Sequence, residues 1–342
     1  MFYNNQEQHS LYLTADYSDD KRILAVVENF EKQFEKQLGK DITKEERLGI
    51  KKLVMQTYLR ALALDKCADY GLEALKEFDN FFIRENTMYA LLKTGRYDEC
   101  LKLANEVKDD TNPVPLYYAA AATLESGEFD ASAEYVLELA KQVKTSEYPK
   151  KADELLHSYF SLLVVDTETT KAKYSLLSDE QINKLNSDEF LKNYLEAYVN
   201  ACYPSYGGHS IYDDAYTQAM ETALIAADRV ISERGELCYP YYLKGVTLMQ
   251  QEKYDEAVAA YKKAIDYKSD DPMIWYALYA AYEELEDWEN AYTAAEIAIG
   301  LSPWFNYYSD YEGIGIHPYS YREGAKAMIE KQHEASQKGG NE

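Results

Sequence analysis

Five histidines, His9, His157, His209, His317 and His333, are the first candidates for acid–base or metal chemistry. A helical metal pair needs ligands at i and i+4, and none of the five has such a partner. The four cysteines, Cys67, Cys100, Cys202 and Cys238, stand too far apart for a zinc or redox motif. Unpaired thiols of this kind fit a reducing compartment. The chain has 60 Asp and Glu, so no two of them stand out as a hydrolytic acid pair. Asp19–Asp20 and Asp270–Asp271 read as helix caps rather than metal ligands. No nucleophile elbow, phosphate-binding loop or dinucleotide fingerprint occurs. His317–Pro318 lies among aromatics, where a pocket is one reading and a structural histidine the other. The expectation is no catalytic residue, no metal site and no cofactor.

What remains is recognition chemistry. Tyrosine occurs 34 times and the formal charge is −24. A phenol offers a large rigid face and a hydroxyl at low entropic cost, and glutamates beside it attract lysine and arginine. Acidity is spread along the chain, which leaves no basic footprint for nucleic acid and repels an anionic membrane surface. The partner expected is a protein or peptide, basic or neutral.

Helices must position these groups, because every periodic segment prefers a spacing of 3.6 to one of 2. Residues 1–20 read as a polar arm. A stripe of Ile23, Val26, Val27, Phe30 and Phe34 predicts a first helix, and Thr43 with Glu46 predicts a capped second one running to about Leu64. A third covers Ala68 to about Phe78. Over 82–140, Gly95, Tyr97 and Cys100 recur 32 residues later as Gly127, Phe129 and Ser132, with each glycine in a tight turn. Cys100 takes the small-residue position and reads as a buried thiol. Residues 21–145 form a helical N-terminal region and 146–238 an irregular helical middle. Helices are expected at Pro149 to about Val165, from the Ser187–Asp188 cap through Cys202, and from Ile211 to Arg234. Pro204–Ser205–Tyr206–Gly207–Gly208–His209–Ser210 is the strongest breaker. Tyr254–Asp255–Glu256–Ala257 and Trp288–Glu289–Asn290–Ala291 lie 34 residues apart. The same shift pairs Tyr241 with Trp275 and Ala264 with Ala298, so two copies of one helical hairpin occupy 239–303. Residues 304–342 read as an aromatic cap, or alternatively a docking strip, followed by a polar helix.

The last two hairpins resemble tetratricopeptide repeats, through Trp275, Leu278, Tyr282, Trp288, Ala291, Ala298 and Pro303 in one, and Tyr241, Gly245, Tyr254, Ala257, Tyr261 and Ala264 in the other. Lys244, Tyr279 and Ala295 depart from the pattern, and 82–140 is a weaker match. The resemblance implies an all-α, right-handed α-solenoid of antiparallel helix pairs whose first helices line a concave groove. Its groove offsets fall on Tyr242, Val246, Met249, Tyr276, Ala280, Glu283 and Glu284, and upstream on Glu85, Tyr89, Tyr117, Ala121 and Glu125. It also implies a non-enzymatic protein- or peptide-binding adaptor. Carboxylates in the groove argue against a clamp for anionic chain termini. The alternatives are an assembly subunit that self-associates and an enzyme with its site in 145–238. No signal-like or membrane-spanning stretch is visible, so a cytoplasmic location is expected.

Overall fold

The structure, a computed structural model, describes residues 29, 32–34, 36–107, 112–145, 149–164, 176–201, 214–301 and 318–339. The expected arm 1–20, the stripe from Ile23 to Phe30, the breaker 204–210 and the aromatic segment up to His317 lie outside the described residues. Two compact units divide the chain, residues 2–142 and 143–342. Among the described residues there is no strand, and no helix is long and apolar enough to cross a membrane.

The first unit is a run of three hairpins, α1 (Lys44–Arg60) with α2 (Leu64–Leu75), α3 (Phe81–Lys93) with α4 (Tyr97–Asn105), and α5 (Pro113–Glu125) with α6 (Phe129–Thr145). The predicted capping box starts α1: Glu46 N–H donates to Thr43 Oγ1 at 3.1 Å while Thr43 N–H donates to Glu46 Oε2 at 2.8 Å. The helix stops at Arg60, short of the predicted Leu64, because Leu62 turns left-handed at φ 53°. Gly95 and Gly127 hold the same turn position at φ 74° and 84°, where glycine carries no Cβ penalty.

Five residues after each turn comes a buried small side chain, Cys67, Cys100 or Ser132. Each donates to a carbonyl twelve residues back: Cys67 to Met55, Cys100 to Met88 at 3.5 Å, and Ser132 to Ala120 at 2.8 Å. A small group at this crossing lets the paired helices approach and tethers one to the other. The hairpin α1–α2 therefore belongs to the same series, which the sequence masks by placing Leu62 where the others have glycine. Along the array α3 packs against both α1 and α5, so first helices adjoin first helices.

In the second unit α7 (Pro149–Val164) and a short α8 (Asp179–Leu185) precede α9 (Glu189–Ala201) and α10 (Asp214–Glu233). Then come α11 (Tyr239–Gln250) with α12 (Tyr254–Tyr267), α13 (Pro272–Glu284) with α14 (Trp288–Leu301), and the terminal α15 (Pro318–Gly339). The helix α8 was not predicted, although Ser178 and Gln181 form a capping box at its start. Asp188 caps α9 by accepting Leu191 N–H at 2.9 Å, as expected. Asp271 of the acidic pair caps α13 through Met273 N–H at 2.9 Å. The series α9, α11, α13 runs in contact, and α15 packs on α14. A Cβ on Gly245 would fall 2.4 Å from the Tyr261 ring, so α11 and α12 touch there only because the residue is glycine. The fold is all-α, built of consecutive antiparallel helix pairs.

Candidate functional site

The residues predicted to line a groove fall into two groups, one in each unit. On α11 and α13, Tyr242, Val246, Met249, Tyr276, Ala280 and Glu283 are half-buried and Glu284 is exposed. Their spacing of three to four residues puts them on one face of each helix, and the two helices pack together. Tyr276 stacks on Tyr279 with ring centres 6.0 Å apart, and Tyr242 lies 6.0 Å from the ring of Tyr261. Both anchors are therefore held by rings behind them, leaving an edge toward solvent. Glu283 and Glu284 close the α13 end of this strip.

The upstream group is placed differently. Tyr89 and Tyr117 are only 3% and 4% exposed, and Ala121 is fully buried. In α5 every residue from Val114 to Leu124 is buried, so this helix has no open face. Tyr117 packs edge-on against Tyr118 at 5.1 Å, and Lys93 sits 5.8 Å from the Tyr89 ring. The expectation that Tyr89 and Tyr117 line an accessible wall is corrected: both are core side chains. The alanine run Ala119–Ala122 admits packing all round the helix, and two phenol rings fill the remaining space.

A buried polar node on α7 was missed by the sequence reading. Asp153, 1% exposed, accepts Tyr194 Oη–H at 2.6 Å, Cys238 N–H at 2.9 Å and Tyr239 N–H at 3.2 Å. It thus supplies the N-terminal cap of α11 from 85 residues away. Burial pushes its carboxyl up to about 6, although all three donors favour the anion. One turn on, His157 stacks on Tyr239 at 4.0 Å and meets Tyr198 and Tyr242 edge-on at 5.0 and 5.9 Å. Burial holds its imidazole well below the ordinary value. Tyr242 therefore has the α7 imidazole at one side, and α7 packs against both α9 and α11. No local spacing pointed to this node, because the partners of Asp153 lie 41 and 85 residues along the chain.

This node lies in the stretch where an enzyme site was the alternative expectation. The carboxylate accepts from three donors, and the imidazole, walled by rings, keeps its Nδ1 buried without a hydrogen bond. Beside it a cavity of about 340 Å³ is lined by Lys150, Lys151, Glu154, Cys238, Tyr267 and Lys268. Burial pushes the Glu154 carboxyl up, but Lys151 at 3.2 Å and Lys268 at 3.1 Å pull it further down. Those cations are matched by Glu154 and by Asp270, which lies 3.4 Å from Lys268. Among the described residues no group of three His, Cys, Asp or Glu side chains could hold a metal ion.

Residues 245–285 match the family model of the TPR repeat. No curated protein matches the chain. Among solved structures, a TPR protein from Parabacteroides merdae is 11% identical over 95% of this chain and 99% of its own, with a TM-score of 0.38. The thermophilic TPR protein TTC0263 from Thermus thermophilus is 15% identical over 72% of this chain and 97% of its own, with a TM-score of 0.35. The TPR2AB domain of yeast Sti1 is 14% identical over 82% and 96%, with a TM-score of 0.30. Superposition at this level is loose, so the assignment rests on the matched repeat and on the helix pairs that contain it. That matched TPR repeat covers the second half of α11 and all of α12 and α13, and it is this part of the chain that the comparison assigns to the repeat.

Proposed function

We propose that the α11–α13 face is a binding surface for a protein or peptide segment, basic or neutral, and that the protein acts as a non-catalytic adaptor. The repeat family is one of interaction modules, which supports the class of function. The observation that carries this reading is the half-exposed strip of Tyr242, Val246, Met249, Tyr276 and Ala280, with Glu283 and Glu284 at one end. Rigid aromatic edges supply contact area at low entropic cost. The two carboxylates bias the choice toward lysine- or arginine-bearing segments, by about 0.5–1 kcal/mol for each exposed cation–π contact. Tyr89 and Tyr117 have no part in this surface.

The test combines an array of random peptides with the triple variant Tyr242→Ala, Tyr276→Ala, Glu283→Gln, folding being followed by tryptophan emission. Basic and neutral peptides are expected to be retained by the parent and lost by the folded variant. Unchanged affinity in a folded variant removes the strip as the site. Enrichment of acidic peptides removes the charge preference.

A further inference from the structure

In the first unit a cavity lies at a position that the two hairpins of 239–301 fill with an aromatic side chain. Counting eleven residues back from each left-handed turn residue gives Tyr241 before Glu252 and Trp275 before Glu286. In the first unit the same count gives Leu116 before Gly127, Arg84 before Gly95 and Lys51 before Leu62. The downstream aromatics fill their position: Tyr241 stacks on Tyr267 at 5.9 Å, and Trp275 donates Nε1–H to the Ser269 carbonyl at 2.8 Å. None of these three is aromatic, and beside Arg84 a cavity of about 480 Å³ opens.

The walls of this cavity are Phe81, Arg84 and Met88 on one face of α3, with Val107, Asn112 and Pro115 opposite and Asp79 at the rim. Phe81 is 52% exposed and forms an open apolar wall. Arg84 Nη2 donates to Asp79 at 2.8 Å. Its Nη1 is buried, makes no hydrogen bond, and has Glu106 at 3.6 Å as its nearest charge. Its ion pair with Glu106 is too long to be a hydrogen bond, so Nη1 keeps a donor available to an acceptor entering the cavity. The volume lies in the range of pockets that hold a ligand.

We infer that this cavity receives an apolar side chain of a partner segment, whose neighbouring backbone carbonyl accepts from Arg84 Nη1. The carboxylates of Asp79 and Glu106 flank the guanidinium, so a neutral carbonyl fits there and a carboxylate is repelled. This site is separate from the α11–α13 strip and stands or falls without it.

The probes are N-acetyl-phenylalaninamide, which is neutral, and N-acetyl-phenylalanine, which is anionic, titrated into the full chain with NMR detection. The amide is expected to give saturable shifts at Arg84 Nε–H, Met88 and Val107, with a dissociation constant on the order of 1 mM for so small a ligand. The anionic probe is expected to bind more weakly. Arg84→Trp, which places there the aromatic of the two downstream hairpins, is expected to fold and to lose the saturable shifts. Phe81→Ser alters an exposed wall residue without disturbing the core and is expected to weaken binding several-fold. Absence of saturable shifts in the parent, tighter binding of the anionic probe, or unchanged shifts in Arg84→Trp each overturns the inference.

Discussion

The hairpins of the first unit and those at 239–301 share one construction and present opposite surfaces. Each has a left-handed turn residue and, five positions later, a small buried side chain, Cys67, Cys100 and Ser132 in one unit, Ala257 and Ala291 in the other. Upstream, α5 is closed on every side by the run Ala119–Ala122 and two tyrosines. Downstream, α11 and α13 keep a strip of tyrosine, valine and methionine half-open. The repeat period thus specifies how two helices cross and leaves the third face to be decided by side-chain volume. Where that face is alanine it packs, and where it is tyrosine backed by another ring an edge stays in water.

Most caps in both units are local, including those of α8, α9 and α13, and one is not. Upstream caps are local, with Asn80 serving α3 and Asn112 serving α5 through Val114 N–H at 3.1 Å. The α11 cap is remote, because Asp153 reaches it from α7. Asp153→Ala leaves two backbone donors and a phenol buried without acceptors, and is expected to cost about 3–5 kcal/mol. Asn112→Ala is expected to cost about 1 kcal/mol. All three tryptophans, Trp275, Trp288 and Trp304, fall in the second unit, so the urea midpoint by tryptophan emission reports that unit alone. Equal effects, with Asp153→Ala read by tryptophan emission and Asn112→Ala by circular dichroism, would erase the distinction between local and remote caps.

Acid response sharpens the same contrast. The folded imidazole of His157 lies below its ordinary value of 6.5, so the stability it confers is lost as pH falls below that value. Asp153 has the opposite sign. Its folded value, about 6, lies above the ordinary 3.8, so the unfolded chain ionises first and stability from this group declines as pH rises from about 4 to 6. The two groups oppose each other between those limits. His157→Phe is therefore expected to raise the midpoint at pH 5 relative to that at pH 7, when compared with the parent, and Asp153→Asn to lower it. Tryptophan-detected urea titrations at both pH values decide this. A lack of change in either variant shows that the node is not the source of the acid response.

How much of this was legible depended on whether the signal was local. The turn glycines, the Thr43–Glu46 box and the 34-residue spacing are short-range patterns, and the structure carries each of them. The hairpin α1–α2 was hidden because Leu62 adopts the left-handed turn without being glycine. Burial of Tyr89 and Tyr117 was hidden for a different reason: a tyrosine at a groove offset looks the same whether the neighbouring helix leaves room or not. Asp153 was invisible because its partners lie 41 and 85 residues away, beyond any pattern of spacing. Helix existence follows from nearby residues, whereas the openness of a face follows from its neighbours' volumes.

Close crossings allow a comparison at matched chemistry. A Cβ at Gly71 would meet Thr87 Oγ1 at 2.0 Å, and one at Gly245 would meet three atoms of the Tyr261 ring within 2.9 Å. Both alanine variants are overpacked, at about 1–3 kcal/mol. Gly245→Ala is expected to lie at the upper end, since three atoms of a rigid ring lie within 2.9 Å, whereas at Gly71 the Thr87 hydroxyl alone is nearer than 3.0 Å. Thermal unfolding followed by tryptophan emission for Gly245→Ala and by circular dichroism for Gly71→Ala measures the two. A smaller loss at Gly245 would mean that α12 can slide away from α11, and the strip would then be adjustable rather than preformed.

The smallest effect concerns the turns themselves. Glu252 and Glu286 occupy at φ 59° and 56° the position that Gly95 and Gly127 occupy upstream. A left-handed residue with a Cβ is disfavoured by about 1 kcal/mol, and a Cβ on Gly127 would meet nothing within 4 Å, so conformation alone sets the cost there. Gly127→Ala is expected to destabilise by about 1 kcal/mol, and Glu252→Gly to stabilise by a similar or smaller amount because glycine loses more entropy on folding. Exchanging the two residue types in this way tests whether the turns are mechanically equivalent. Should Glu252→Gly instead destabilise, the glutamate side chain itself must be holding the α11–α12 turn. The acidic end of the repeat would then be part of its framework rather than free for a basic partner.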